Sequence, residues 1–422
     1  MEFRAATEQA LVSGDAVRLA DAPSLQGWPA RIAREEKDGN RALCAPSPGG
    51  ACASIVGNLF GSQSRLHLAL GVSGDAALFD HLIAAGDLPQ RIVAGASLEG
   101  SHRRIDRPDL LRELPAIRHS AEDAGPYLTS GILVVRDEEA GGHHFCYVRM
   151  AMAGGTRLMV NPATRRMKTL VERGLAHGKP MDVAVLVGPP AEVILSACTS
   201  APRGSDKYGI AQALAGGGLV FAGQGLPVPV ATEVILTGRL LPEFGPEGPV
   251  GDQKGLYSLR TRNPACEIDM LWARPDAAFH LIAGGVSREH VELVSLGPRL
   301  ALHRILRDTP SIVACALPPF AGGRLAVLVV REDFAPGAML DRLWAISSVR
   351  GFVAVNDDVD AASAPDLLWS ILERARLPEQ FQFSAEGHPV SGARKFFIDA
   401  TSRNRADWNE RRIRVYSPEE SS

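Results

Sequence analysis

Between Gly131 and Leu236 the chain offers a series of short, β-rich apolar runs, each halted within a few residues by glycine or proline. Ile132–Arg136, Phe145–Met152, Arg157–Val160, Asp182–Val187, Gly218–Ala222 and Glu233–Leu236 are the runs. Ala191–Ser200 and Lys207–Ala215 read as helices between them. Many short strands with few helices predict a barrel or split barrel. The same punctuation extends along the chain, with 42 glycines and 29 prolines in 422 residues. Coiled-coil, fibrous and largely disordered folds are excluded.

The flanks read differently. Met1–Ser13 is expected as a short amphipathic helix, Ala53–Leu59 as an apolar run into the Gly61-Ser62 turn, and Arg65–Val72 and Ala76–Ala85 as helices. Ser97–Gly125 is charged and proline-interrupted, a connector. After Pro275, apolar runs alternate with helical stretches. Ile312–Leu317, Leu325–Val330 and Phe352–Val355 suit buried parallel strands, with helices at Ala338–Ser348 and Pro365–Arg374. The polar tail after Thr401 is expected on the surface or on a partner subunit. The fold class is therefore α+β in three parts. These are an N-terminal α/β segment over 1–105, a central split β-barrel over 106–285 and a C-terminal α/β domain over 286–422.

Charge narrows the function. With 45 Lys+Arg against 48 Asp+Glu the net charge is −3, which argues against nucleic acid or an anionic membrane surface as a partner. No stretch approaches the length of a membrane span, and Met1–Gly14 has no apolar core of a signal peptide. A cytoplasmic protein is expected. The six cysteines are scattered with no C-x-x-C pair, so buried reduced thiols are expected rather than a zinc or disulfide framework.

Generic catalytic motifs are missing: there is no P-loop and no H-E-x-x-H. Gly216–Gly225 is better read as a tight turn than as a phosphate loop. Gly245–Asp252 places Glu247 and Asp252 five residues apart in a Gly/Pro segment that is unlikely to be helical. Such a pair does acid–base work if a cation holds one partner ionised; a solvated turn is the commoner outcome. In His143–Met150, strand alternation puts His143, Phe145, Tyr147 and Arg149 on one face. An arginine buried in an apolar strand needs a carboxylate.

Several segments, in order, resemble the UbiD-type decarboxylases, which use prenylated FMN. They are Val56–Ser62 followed by Leu66–Gly71, Thr129–Asp137, the Tyr147-x-Arg149-Met150 strand, and Val228-Pro229 leading into Glu233–Gly238. The series continues with Glu247–Gly251, Asn356–Asp360, Ser391–Lys395 and Ile398–Thr401. The resemblance implies a flavin-binding split barrel, an active site in the cleft between it and the C-terminal domain, and a homodimer or larger homo-oligomer. It also implies a flavin prenyltransferase as cofactor supplier and a small carboxylic acid as substrate. The implied reaction is reversible non-oxidative decarboxylation of an aromatic, heteroaromatic or α,β-unsaturated acid.

The family's Glu–Arg–Glu trio falls by resemblance on Arg149, Glu247 and Asp252. Asp252 would be the proton donor, set back by one methylene, roughly 1 Å. At the cofactor phosphate the family uses an Asn, a His and a Glu to hold metal ions. Here those positions carry His144, Arg166 and Lys207, which argues against a divalent metal, because an ammonium cannot ligate one. Arg350 stands where the family has a phosphate-contacting lysine. The resemblance therefore implies cofactor contacts from His144, Arg149, Arg166, Lys207 and Arg350, with the cations gripping the phosphate directly. Two alternatives remain: a non-catalytic scaffold subunit of a multi-subunit carboxylase, and an enzyme using ordinary FMN or another phosphorylated ligand.

Overall fold

The structure, a computed structural model, describes all residues except 163, 203, 224–225, 286, 338, 377, 388–392 and 403–422. The fold is mixed α+β. The chain divides into two compact units, Met1–Leu296 and Gly297–Ser422, at a point inside the helix Arg288–Asp308.

The first unit is built on a nine-stranded antiparallel sheet. Its path runs Tyr127–Leu128, Arg149–Gly154, Arg157–Asn161, Thr261–Ala273, Val234–Glu247, Met181–Val187, Ile132–Asp137, Gly142–Tyr147, with Arg103–Asp106 added beside Thr261–Ala273. Gly142–Tyr147 ends this path and Arg149–Gly154 lies near its other end, yet only Val148 separates them in sequence. A single linking residue requires the sheet to curl back on itself, giving a half-barrel. The Val148 N–H donates to the Gly131 carbonyl at 3.2 Å and ties down the crossing.

Alternating apolar residues fill the interior, among them Leu133, Val135, Val183, Val185, Leu236 and Leu271. Helix Arg165–Leu175 adds Met167, Leu170, Val171 and Leu175, a stripe at helical spacing, and Thr164 caps it by accepting from the Met167 N–H at 3.3 Å. The same core includes Trp28, Ile32, Leu43 and Ile55 from the N-terminal segment. Strand Ala278–Leu281 returns to pair in parallel with Ser54–Gly57, joining a four-stranded sheet with Ala42–Pro46 and Ala16–Arg18. The N-terminal segment and the half-barrel therefore share one core.

Several expectations change here. The run Phe145–Met152 is two strands, broken at Val148, and Gly218–Ala222 is a strand only at Phe221–Ala222. Glu233–Leu236 grows into Val234–Glu247, and its partner Thr261–Ala273 has no counterpart in the apolar pattern. Gly245–Glu247 is thus strand rather than loop, paired with Thr261–Asn263. Gly216 and Gly217 turn the chain after helix Lys207–Leu214 with φ of 59° and 87°, while residues 224–225 of that stretch lie outside the described residues.

The C-terminal unit has a five-stranded mixed sheet ordered Ile312–Ala316, Leu325–Val330, Gly351–Val355, Arg394–Asp399, Phe381–Gly387. The middle pairings are parallel and the outer two antiparallel. Helix Ala364–Arg374 brings Leu367 onto one face, and Met339–Trp344 brings Met339 and Leu343 onto the other. Ile312–Leu317 was expected as a buried parallel strand. It is an antiparallel edge with Val313 43% exposed, because an apolar run alone does not fix pairing. Ser391-Gly392 and the tail from residue 403 lie outside the described residues. All six cysteines are free, and among the described residues no single helix is long and apolar enough to cross a membrane.

Candidate active site

Arg149 opens its strand immediately after the Val148 break, and Glu247 closes the long strand on the far side of the sheet path. Their side chains meet in a two-pronged ion pair. Arg149 Nε donates to Oε1 at 3.0 Å and Nη2 to Oε2 at 2.9 Å, with the Glu247 side chain wholly buried. Glu247 Oε2 also accepts from Asn161 Nδ2 at 3.1 Å, Asn263 Nδ2 at 3.0 Å and Thr261 Oγ1 at 3.3 Å. Strand register supplies these donors. Asn161 lies directly opposite Arg149, and Thr261 and Asn263 share one face of the strand beside Glu247. The buried Tyr127 phenol hydrogen-bonds Glu247 and accepts from the Gly248 N–H at 3.0 Å; burial and the Glu247 charge push its pKa up. Removing Arg149 would leave a buried carboxylate without its counter-charge.

Asp252 stands apart from this pair. It occupies a turn in which its N–H donates to Leu256 O, and its carboxylate accepts from the Lys254 N–H at 3.3 Å and pairs with Lys254 Nζ at 3.4 Å. It hydrogen-bonds neither Arg149 nor Glu247. Fully buried Asp123 anchors the turn by accepting from the N–H groups of His119, Ser120 and Gly251. The structure also brings His290 near Asp252. Its Nδ1 donates to the Gly285 carbonyl at 2.8 Å, and burial lowers its pKa, with the charge of Asp252 opposing.

The residues assigned to the phosphate have other partners. Arg166 Nε and Nη2 grip Asp137 at 3.1 and 2.6 Å, and Nη1 reaches Glu139 at 3.0 Å. Although burial opposes it, Arg166 holds the Asp137 carboxyl below its usual range. Lys207 is 2% exposed. Its Nζ donates to Phe145 O at 2.8 Å and Ala197 O at 3.5 Å and lies 5.2 Å above the Phe145 ring. Burial brings its pKa down to about 8. Burial and the Lys207 charge take His144 down to about 3, so its imidazole is neutral. Arg350 belongs to the C-terminal unit, where it and Arg324, after burial, lower Lys395 to about 8.

Among the described residues, His144 Nε2 and the Tyr147 hydroxyl are buried with no hydrogen-bond partner, and Tyr147 sits in the field of Cys198 and Glu289. Orphaned buried polar atoms call for a ligand or water. The His144 nitrogen and the Lys207 ammonium, whose charge acts on it, suit a polar, anionic group such as a flavin phosphate. A divalent metal does not fit the same residues. One neutral imidazole, an ammonium and a guanidinium already bound to two carboxylates are not a ligand set. Among the described residues, no group of three or more His, Cys, Asp or Glu is assembled to hold a metal ion.

Sequence reasoning missed Asn161, Thr261, Asn263 and Tyr127 around Glu247, and His290 beside Asp252. The alternating Thr261-x-Asn263 was a signal, hidden because its strand begins in a polar stretch.

The chain is similar in sequence and fold to known proteins. Residues 93–287 match the UbiD family, described as the 3-octaprenyl-4-hydroxybenzoate carboxy-lyase Rift-related domain. An anhydromevalonate phosphate decarboxylase of Methanothermobacter thermautotrophicus is 26% identical over 331 residues, covering 76% of this chain and 77% of the relative. The UbiD-class enzyme HmfF of Pelotomaculum thermopropionicum, in an evolved dimeric form with prFMN, superposes with a TM-score of 0.85 at 23% identity, covering all of both chains. Vanillic acid decarboxylase of Sedimentibacter hydroxybenzoicus superposes with a TM-score of 0.80 at 21% identity, covering 99% of this chain and 96% of the other. Residues 93–287 therefore carry a UbiD-family domain, and the chain is similar to carboxy-lyases of that family.

Proposed function

We propose that the protein catalyses the reversible, non-oxidative decarboxylation of an aromatic, heteroaromatic or α,β-unsaturated carboxylic acid with prenylated FMN. The observation that carries this reading is the Arg149–Glu247 pair, whose carboxylate is held by four further polar contacts in the curled sheet. Such investment in one half-open arginine suits a group that positions a ligand. The relatives support the substrate class only broadly, since they are named as decarboxylases of anhydromevalonate phosphate and of vanillic acid.

Prenylated FMN, when bound, supplies an electron sink for the pair left on carbon as the bond to the carboxylate breaks. The chain's own residues do the rest. Arg149, with its side chain 22% exposed, orients the carboxylate to be lost while Glu247 keeps the guanidinium in place. Asp252, once its carboxyl has turned from Lys254 toward the reacting carbon and taken a proton from solvent, delivers the proton that replaces CO₂. The hairpin pinned by Asp123 gives that turn a fixed base.

The test is purification after co-expression with a flavin prenyltransferase, with absorption and mass spectra of the bound cofactor and turnover of a panel of unsaturated acids. Arg149→Ala and Asp252→Asn are expected to lower kcat by about 10²-fold or more, the scale of a lost acid–base or positioning group. Full activity in either variant removes the mechanism. The scaffold alternative is favoured by Asp252's existing bond to Lys254; it requires that no flavin bind under any condition.

A further inference from the structure

One buried charge is left over. Lys207 is enclosed, and among the described residues no carboxylate pairs with it; its partners there are two carbonyl oxygens and an aromatic face. Carbonyl dipoles and a ring compensate a buried ammonium only in part, and an anion normally accompanies such a charge. Two of its three N–H groups are used, so one remains for an incoming oxygen. Close by, His144 Nε2 is buried without a partner. Arg166 has the opposite character: its charge is already matched by Asp137 and Glu139. Of the three positions at which the resembling family has metal ligands, one thus holds a free buried cation, one a closed ion pair and one a lone neutral nitrogen.

We propose that this chain holds the phosphate of its flavin without a divalent metal, the Lys207 ammonium standing as the fixed cation in the metal's place, with Arg166 kept from the phosphate by Asp137. The inference rests on the flavin reading. Of the two cations at the family's metal-ligand positions it keeps Lys207, and it assigns Asp137 the work of neutralising Arg166. A dianionic phosphate beside Lys207 would in turn supply the counter-charge that the ammonium lacks.

The test uses the full-length protein stripped with EDTA and titrated with FMN and with riboflavin, followed by flavin fluorescence, with and without added MnCl₂. FMN is expected to bind equally well in EDTA and in Mn²⁺, and in preference to riboflavin by about tenfold or more, the scale of a charge-assisted phosphate contact. Lys207→Met is expected to abolish the preference for FMN while leaving riboflavin affinity unchanged, with circular dichroism confirming the fold. The double variant Arg166→Met/Asp137→Asn is expected to keep the preference. Stoichiometric metal in the flavin-loaded protein, or a tenfold gain in FMN affinity from Mn²⁺, would overturn the proposal, and wild-type protein alone suffices for that arm. A Lys207→Met protein that still prefers FMN would also overturn it. Failure to bind either flavin, or prenylated FMN after co-expression, instead removes the cofactor reading on which the proposal rests.

Discussion

Glu247 shows how a strand-end carboxylate becomes a fixed part of a site. Its two oxygens take both prongs of Arg149, two amides and a hydroxyl, and truncating any one donor leaves the others in place. Asn263→Ala is therefore expected to cost about 1 kcal/mol of stability, whereas Arg149→Ala costs more, up to about 3 kcal/mol after allowing for its partial exposure. Urea unfolding of the two variants checks the order. His144 gives a pH prediction of definite sign. Its folded pKa, about 3, lies below the ordinary histidine value, so acidification through the ordinary value protonates the unfolded chain first. Stability is lost as pH falls, by at most about 1.4 kcal/mol per unit between about pH 6.5 and the folded value. Replacing His144 by Gln is expected to flatten this slope, and an unchanged acid limb in the variant would contradict the burial argument. The need of Arg149 for a carboxylate was legible in the strand pattern, but its identity came only through the family resemblance. The commitment of Arg166 to Asp137 and Glu139 was not legible, because nothing local predicts which strand turn a helix will overlie.

At the scale of elements, the ribbon formed by Val234–Glu247 and Thr261–Ala273 governs the site, carrying Glu247, Thr261 and Asn263. Gly238, Pro242, Gly245 and Pro246 make its first strand read as a loop. The sheet accommodates Gly238 and Pro242 through register shifts at Thr237/Gly238 and between Leu240 and Phe244, Pro242 falling inside the second, where no ladder donor is needed, while Gly245 and Pro246 stay in register opposite Asn263 and Arg262. Breakers in a sequence mark irregularity, and a bulged strand satisfies them as well as a turn does. Gly248, next to Glu247, has φ of 88°, and a Cβ there would lie 2.9 Å from the Leu259 carbonyl oxygen. Gly248→Ala is expected to destabilise the protein by about 1–3 kcal/mol and to lower activity further by shifting Glu247 against Asp252. Thermal unfolding and kcat/KM measured together check this. Wild-type values in both would contradict the claim that backbone conformation here sets the site.

For the whole molecule, the antiparallel half-barrel sharing its core with the N-terminal segment follows from alternating apolar strands, while the curl follows from the one-residue link at Val148. The first was visible in the sequence; the second needed strand order, which apolar runs do not carry. The net charge of −3 likewise says little about the site, where the local balance is set by Arg149 against Glu247 and by an unpaired Lys207. The central claim is that the family's decarboxylation runs here through Arg149, Glu247 and Asp252. It is tested most directly by loading wild-type and Glu247→Gln protein with prenylated FMN and measuring CO₂ release from the same panel of unsaturated acids. Wild-type turnover, with the variant binding cofactor but losing activity by about 10²-fold or more, is the expected result. Equal turnover by the two proteins, or none by cofactor-loaded wild type on any acid, would contradict it.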